Sequence, residues 1–325
     1  MREIMLCEAI REALDEEMAR NPEVVLWGED IREWGLGGVT EGLYLKYPDR
    51  VLDTPLSETA IAGAAVGAAY AGMVTVPEIM YSDFLTVVYD YLFNQISKNR
   101  FMTGMQEGGT AACMVMRAPS GAGLRCAGQH SQCGEAMVMS IPGLKIAVPS
   151  TPYDAKGMMK YALRGNDPVL FLEHRMQYNN KGPVPEEEYL VPLGSADVKR
   201  EGSDVTVVAT QIMVDKSLVA AERLEKEGVS VEVVDPRSLR PLDMKTIGAS
   251  VRKTGRLVLV NESYTTGNAL NEIAVRVFED YFESLKAPVV RVCGPDMPVP
   301  FAPALEDMWI RNEDDIAAGI RKVCK

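Results

Sequence analysis

Two hydrophobic periods alternate along the whole chain. Ile10, Leu14 and Met18 fall on one face of a helix expected over about 5–19, and the unbroken run Val24-Val25-Leu26-Trp27 predicts a strand after it. Asp53-Thr54-Pro55 reads as a strand end and turn, Ser57 as a helix cap, and Ala60 to Gly72 as a helix of small residues whose backbone can pack very close to a neighbour. Strands are expected over 74–79, 112–116, 145–148 and 169–173, separated by helices over 82–105, 132–140 and 153–163. The stretch 179–195, with Gly182, Pro183, Pro185, a run of Glu and Pro192, has the composition of an exposed connector. Beyond it the alternation resumes, with strands over 205–209, 229–234, 257–260 and 289–292 and helices over 213–228, 244–253, 267–285 and 313–323. This is the pattern of parallel sheets joined by right-handed helical crossovers. An α/β chain of two doubly wound domains is therefore expected, over 1–180 and 199–325 with a linker at 181–198.

Composition narrows the function classes. An apolar content of 47% with 25% charged residues is that of a soluble globular protein. The net charge of −12 argues against nucleic acid, which needs clustered Lys and Arg, but allows a basic protein partner. Cys7, Cys113, Cys126, Cys133, Cys293 and Cys324 form no Cys-x-x-Cys pair, so they read as reduced thiols, and with only two histidines a zinc site is disfavoured. Met1-Arg2-Glu3-Ile4 runs straight into an acidic helix rather than a signal peptide, and a cytoplasmic location is expected. The uncharged run Thr59 to Pro77 holds Gly63-x-x-x-Gly67, yet it is Ala and Gly rather than Leu and Ile and is broken by a strand, so a soluble packing helix is expected.

Glu58 is the most informative residue, because it stands at the mouth of the small-residue helix, where the helix dipole favours its ionised form. Read alone, it is an ordinary first-turn acid, and Phe84, with Val88 and Tyr91 at helical spacing, is ordinary core. His130 lies in a polar loop after a Gly-rich stretch, whereas His174 reads as structural. Gly35-x-Gly37-Gly38 and Gly121-x-Gly123 complete neither a dinucleotide fingerprint nor a phosphate loop.

Taken together and in order, the 53–72 segment, Leu26-Trp27-Gly28-Glu29-Asp30, Gln129-His130-Ser131-Gln132, Ile141-Pro142-Gly143-Leu144-Lys145, Arg240-Pro241-Leu242-Asp243 and Gly294-Pro295-Asp296 resemble the beta subunit of the thiamine-diphosphate-dependent first component of 2-oxo-acid dehydrogenase complexes. The resemblance covers essentially the whole chain. It implies a transketolase-like pyrimidine-binding domain followed by a transketolase C-terminal-like domain. It also assigns roles. Glu58 would hydrogen-bond the pyrimidine ring of the cofactor, with Leu56 beside it, Met80 on the same wall and Phe84 stacked on the ring. His130 would face the substrate end, and Glu29 would lie near the channel between two active sites, although a strand-end acid is often simply exposed.

The resembling family holds the diphosphate and magnesium with Gly-Asp-Gly followed by Asn-Asn. This chain has no Gly-Asp-Gly, and Asn179-Asn180 lacks an upstream partner, so the phosphate half of the site is expected from an alpha subunit in a two-alpha, two-beta tetramer. The family often binds potassium through carbonyls at positions matching Met114, Ala162, Leu163, Gly165 and Asp167, where members commonly carry Asp in place of Gly165 and Asn in place of Asp167. The C-terminal domain would build the dimer contact and dock the basic domain of a lipoyl acyltransferase core. Pyruvate and acetoin are the expected substrates, with branched 2-oxo acids, a non-catalytic scaffold on the same fold and a dinucleotide-dependent dehydrogenase as alternatives.

Overall fold

A computed structural model describes residues 1–33, 35–103 and 113–325. The chain divides into two compact units, Met1–Ser120 with Met137–Leu193, and Gly121–Ala136 with Gly194–Lys325. The first contains β1 (Arg2–Met5), α1 (Leu6–Arg20), β2 (Val24–Gly28), α2 (Leu43–Lys46), β3 (Val51–Asp53), α3 (Glu58–Tyr70), β4 (Val74–Pro77), α4 (Ser97–Thr103) and β5 (Val115–Ser120). After α5 (Glu135–Val138), which straddles the division, it continues through β6 (Lys145–Ala147), α6 (Pro152–Leu163), β7 (Val169–His174) and β8 (Lys181–Val184).

Strand β2 pairs in parallel with β3 and β4, and β7 pairs in parallel with β5 and β6. Parallel bridges from Thr75 to Met114 and from Glu78 to Arg117 join the two groups, giving the order β3-β2-β4-β5-β7-β6 among the described residues. All five residues of β2 are buried, as a central parallel strand covered on both faces requires. Ile10, Leu14 and Met18 of α1 share a core with Met158, Met159 and Phe171.

The second unit contains β9 (Asp197–Arg200), β10 (Val205–Ala209), α7 (Ile212–Glu225), β11 (Val231–Asp235), β12 (Ser238–Arg240), α8 (Met244–Thr254), β13 (Leu257–Tyr264), α9 (Asn271–Tyr281), β14 (Val290–Gly294), α10 (Pro303–Trp309) and α11 (Glu313–Cys324). Its sheet runs β14-β13-β10-β11-β9, parallel except for the β9 edge. Met213 and Val214 of α7 and Ile316 and Ile320 of α11 pack in one core with Val207, Val233 and Val258.

Local structure departs from the sequence pattern in four places. The helix expected over 82–105 is a 3-10 turn at Ser82–Thr86, a π-helical stretch at Tyr91–Ile96 and then α4. Leu85, Val88, Leu92 and Ile96 are buried throughout, so core packing rather than helix propensity sets the winding. The end of that helix and the start of the strand expected over 112–116 fall on 104–112, outside the described residues. Ser57 occupies the N-cap of α3, but its side chain makes no capping bond. The helix expected over 132–140 is the single turn α5. Finally, the stretch read as a linker carries β8, which pairs antiparallel with β1, and buries Val184, Val191 and Leu193.

Candidate active site

Three neighbouring parallel strands of the first unit end at one edge, and an acid follows each. Glu29 comes directly after β2, Glu58 follows β3 through the turn Thr54-Pro55-Leu56-Ser57, and Glu78 comes directly after β4. The crevice outside the carboxyl ends of parallel strands is where open α/β sheets bind ligands.

The edge is tightly built. The Thr54 N–H donates to the Gly28 carbonyl at 2.9 Å and the Glu78 N–H to the Trp27 carbonyl at 2.9 Å. A Cβ at Gly28 would stand 3.0 Å from the Cβ of Glu78 and 3.1 Å from its carbonyl oxygen, so only glycine lets the chains approach this closely. Helix α3 is tied down by the Trp27 indole N–H, which donates to the Ile61 carbonyl at 3.0 Å, and by the Thr75 hydroxyl, which donates to the Ala65 carbonyl at 3.3 Å. These bonds fix the first turn of α3 and leave Glu58 half-buried at its start.

Glu29 is not the exposed strand-end acid that its position in the sequence allows: its side chain is buried, and its Oε1 has no hydrogen-bond partner among the described residues. Burial raises its carboxyl pKa first, and the nearby negative charges of Glu58, Asp30 and Glu78 raise it further. Glu78 is buried as well, with a pKa pushed up by burial against the pull of Arg117. The Arg117 guanidinium donates to Glu78 on one side and grips Glu173 on the other, and the Tyr178 hydroxyl donates to Glu173 at 2.7 Å.

Apolar groups flank these acids in sequence. Leu56, two residues before Glu58, is 83% exposed, while Met80 and Phe84, shortly after Glu78, are half-buried. Leu85 and Val88 are buried in the core, whereas the half-buried Phe84 ring meets Tyr81 edge-on at 5.9 Å. His130 lies in Gly121–Ala136, the segment that belongs to the second unit, on a loop where its backbone N–H donates to the Ala127 carbonyl at 3.4 Å. His174 is buried at the end of β7.

The five residues matched to a potassium site gather around the C-terminal end of α6. Several of their groups already have partners. The Met114 carbonyl accepts from the Val169 N–H at 2.9 Å, the Ala162 carbonyl accepts from the Gly165 N–H at 3.1 Å, and the Cys113 thiol sits 3.7 Å and 3.9 Å from the Ala162 and Leu163 carbonyls. Asp167 is paired with Arg100 at 2.5 Å and Lys145 at 2.8 Å, which together hold its carboxyl below the usual range although burial alone would raise it. Two cations against one carboxylate oppose a further cation at the Asp167 side chain, while a carbonyl that accepts one N–H keeps a second lone pair.

The strand edge presents the half-buried Glu58 and the buried Glu29, whose Oε1 has no hydrogen-bond partner among the described residues, with Leu56, Met80 and Phe84 near these acids in sequence. Among the described residues no group of His, Cys, Asp and Glu could hold a metal ion.

Residues 2–181 match the family described as Transketolase, pyrimidine binding domain, and residues 194–316 match Transketolase, C-terminal domain. Over its full length the chain is 47% identical to the acetoin:2,6-dichlorophenolindophenol oxidoreductase subunit beta of Cupriavidus necator, covering 98% of that protein. It is 42% identical to the 2-oxoisovalerate dehydrogenase subunit beta of Bacillus subtilis, with 98% of each chain covered. With the pyruvate dehydrogenase E1 component subunit beta of the same organism it shares 41% identity over 99% of each chain. Among solved structures, a split-gene transketolase described as an inactive beta4 tetramer superimposes with a TM-score of 0.81 at 25% identity, covering 99% of this chain and 98% of that one. The chain thus belongs to the transketolase-related beta subunits of the first component of 2-oxo-acid dehydrogenase complexes, a family associated with thiamine diphosphate.

Sequence reasoning assigned no site role to Glu78, Arg117 or Glu173. A signal was present: Arg117 interrupts the otherwise apolar run of β5, and a charge inside a buried parallel strand needs partners of opposite sign.

Proposed function

We propose that this chain supplies the pyrimidine half of a thiamine-diphosphate site in a 2-oxo-acid dehydrogenase, and that an alpha subunit supplies the diphosphate and magnesium half. The observation that carries this reading is Glu58, a half-buried carboxylate fixed at the start of α3 beside the buried Glu29. When bound, the cofactor supplies an electron sink for cleaving a bond next to a carbonyl carbon. Glu58 holds and returns a proton at the pyrimidine ring nitrogen. Leu56 and Met80 would lie against the bound ring, and Phe84 would stack on it. Glu29, its pKa raised by burial and then by the neighbouring Glu58 charge, favours keeping its proton beside Glu58. His130 delivers a proton at the substrate end or guides reductive acyl transfer to a lipoyl group.

The assembly proposed is a cytoplasmic two-alpha, two-beta tetramer that docks on a lipoyl acyltransferase core. Val275, Phe278 and Phe282 are exposed on and just after α9, an apolar face of the kind that another subunit covers. The acidic net charge suits a basic docking domain. Acetoin or pyruvate is the proposed substrate, and the 47% identity to the Cupriavidus acetoin subunit puts acetoin first.

In the reconstituted pair, Glu58→Gln should leave assembly intact and lower turnover at least about a hundredfold, the scale for losing a positioned proton-transfer group. Near-normal turnover would sink the assignment. The chain alone should show no magnesium-dependent binding of thiamine diphosphate by calorimetry, and binding should appear on adding the alpha partner.

A further inference from the structure

The loop that carries His130 is held in place by the second unit, and its contacts are specific. Residues 121–127 adopt an uncommon backbone, with φ of 95° at Gly121, 110° at Gly123, 59° at Arg125 and 60° at Ala127. Arg125 and Ala127 have side chains that disfavour this left-handed region, so the surroundings must impose it. Two buried carboxylates are in position to do so. Glu262, in β13, accepts from the Ala122 N–H at 2.7 Å. Glu306, in α10 and fully buried, accepts from the Gly123 N–H at 2.8 Å, the Arg125 N–H at 3.1 Å and the Arg125 guanidinium at 2.8 Å.

The remaining contacts continue the mould toward His130 and past it. Gly128 lies against Pro298 and Val299, where a Cβ would stand 3.3 Å from the Pro298 side chain. The Tyr264 hydroxyl donates to Gln132 at 3.1 Å, and Asn261 donates to Glu135 at 2.8 Å. Ala122 shares a small apolar cluster with Val299 and Trp309.

We infer that Glu306 is a positioning residue for His130: it fixes the backbone of 123–125 by collecting N–H donors that water would otherwise satisfy. The second domain, which has no catalytic motif of its own, thereby shapes the catalytic loop. A buried carboxylate suits this task because it accepts several charge-assisted hydrogen bonds and donates none. Glutamine at the same position presents one oxygen and an NH2 group that meets the loop donors head-on.

This inference rests on the proposed role of His130, and its test separates the two. Hydrogen exchange followed by mass spectrometry on the Glu306→Gln chain should show faster exchange concentrated in 121–131, with trypsin cutting after Arg125 at least about tenfold faster. In the reconstituted pair the variant should lose at least about tenfold in turnover with the lipoyl acceptor, retain its KM for substrate, and lose less with an artificial electron acceptor. Exchange in 121–131 equal to that of the parent chain would overturn the inference, whatever the activity. Faster exchange with unchanged turnover would overturn the positioning role. Unchanged turnover in His130→Ala would instead remove the reading of His130 itself. Should Glu306→Gln fail to fold, Arg125→Ala removes one anchor from the solvent side and, although it also removes the trypsin site, should show the same faster hydrogen exchange in 121–131 more weakly; a wild-type exchange pattern there would equally count against Glu306.

Discussion

Arg117 grips Glu173 with two parallel hydrogen bonds, Nε to Oε1 at 2.7 Å and Nη2 to Oε2 at 2.9 Å, while its remaining nitrogen reaches Glu78 at the end of β4. All three side chains are buried. A planar fork serving two carboxylates is geometry that lysine cannot reproduce. Arg117→Met should destabilise the chain by about 3–5 kcal/mol in denaturant unfolding, because it leaves buried acids without their counter-charge. Arg117→Lys should recover less than half of the loss. Full recovery by lysine would show that charge alone matters there.

Phe84 is the aromatic group at the strand edge that the core does not claim. Phe84→Ala in the reconstituted enzyme should weaken thiamine diphosphate binding by about 1 kcal/mol, the scale of a lost stacking contact, with little change in melting temperature. An unchanged cofactor dissociation constant together with a large drop in stability would return Phe84 to the core.

The raised pKa of Glu29 has a defined consequence for stability. The folded state holds this proton more tightly than the unfolded chain does, so the group's contribution is fully present below the ordinary carboxylate pKa and is lost as pH rises through the raised folded value. Glu29→Gln cannot ionise and should therefore be more stable than the parent near pH 7, a gain that vanishes near pH 4. A difference between variant and parent that is the same at both pH values would contradict this assignment.

Potassium should not stabilise the chain. A cation bound at a hundred times its dissociation constant would add about 2.7 kcal/mol. Replacing potassium chloride by choline chloride at equal ionic strength should leave the melting temperature unchanged, because Arg100 and Lys145 already neutralise Asp167. A clear rise specific to potassium would show that the carbonyls around Ala162 remain available to a cation.

The alternation of periods announced the parallel sheets, and the turn at 54–57 announced where the small-residue helix starts, because both signals are local. What stayed hidden depends on distant partners. Glu29 looks like any strand-end acid until β3 and β4 flank β2 on either side. Arg117 finds its partners 39 and 56 positions away, and Glu306 meets its loop across more than 180 positions. No periodicity in a single sequence encodes such pairings. The broken helix over 82–103 was illegible for a different reason: its apolar residues keep helical spacing while core contacts change the pitch.

The chain passes from the first unit to the second at Ser120, returns at Met137 and leaves again after Leu193. Neither unit is therefore a continuous stretch of polypeptide, and the insertion that breaks the first is the loop bearing His130. Recombination at a single crossover near residue 193 would pair one parent's His130 loop with another parent's Glu262 and Glu306. The second domain cannot be exchanged like a cartridge. A working chimera must carry residues 121–136 together with everything from Gly194 onward, so in this lineage the loop and its distant mould are expected to have been inherited as a pair.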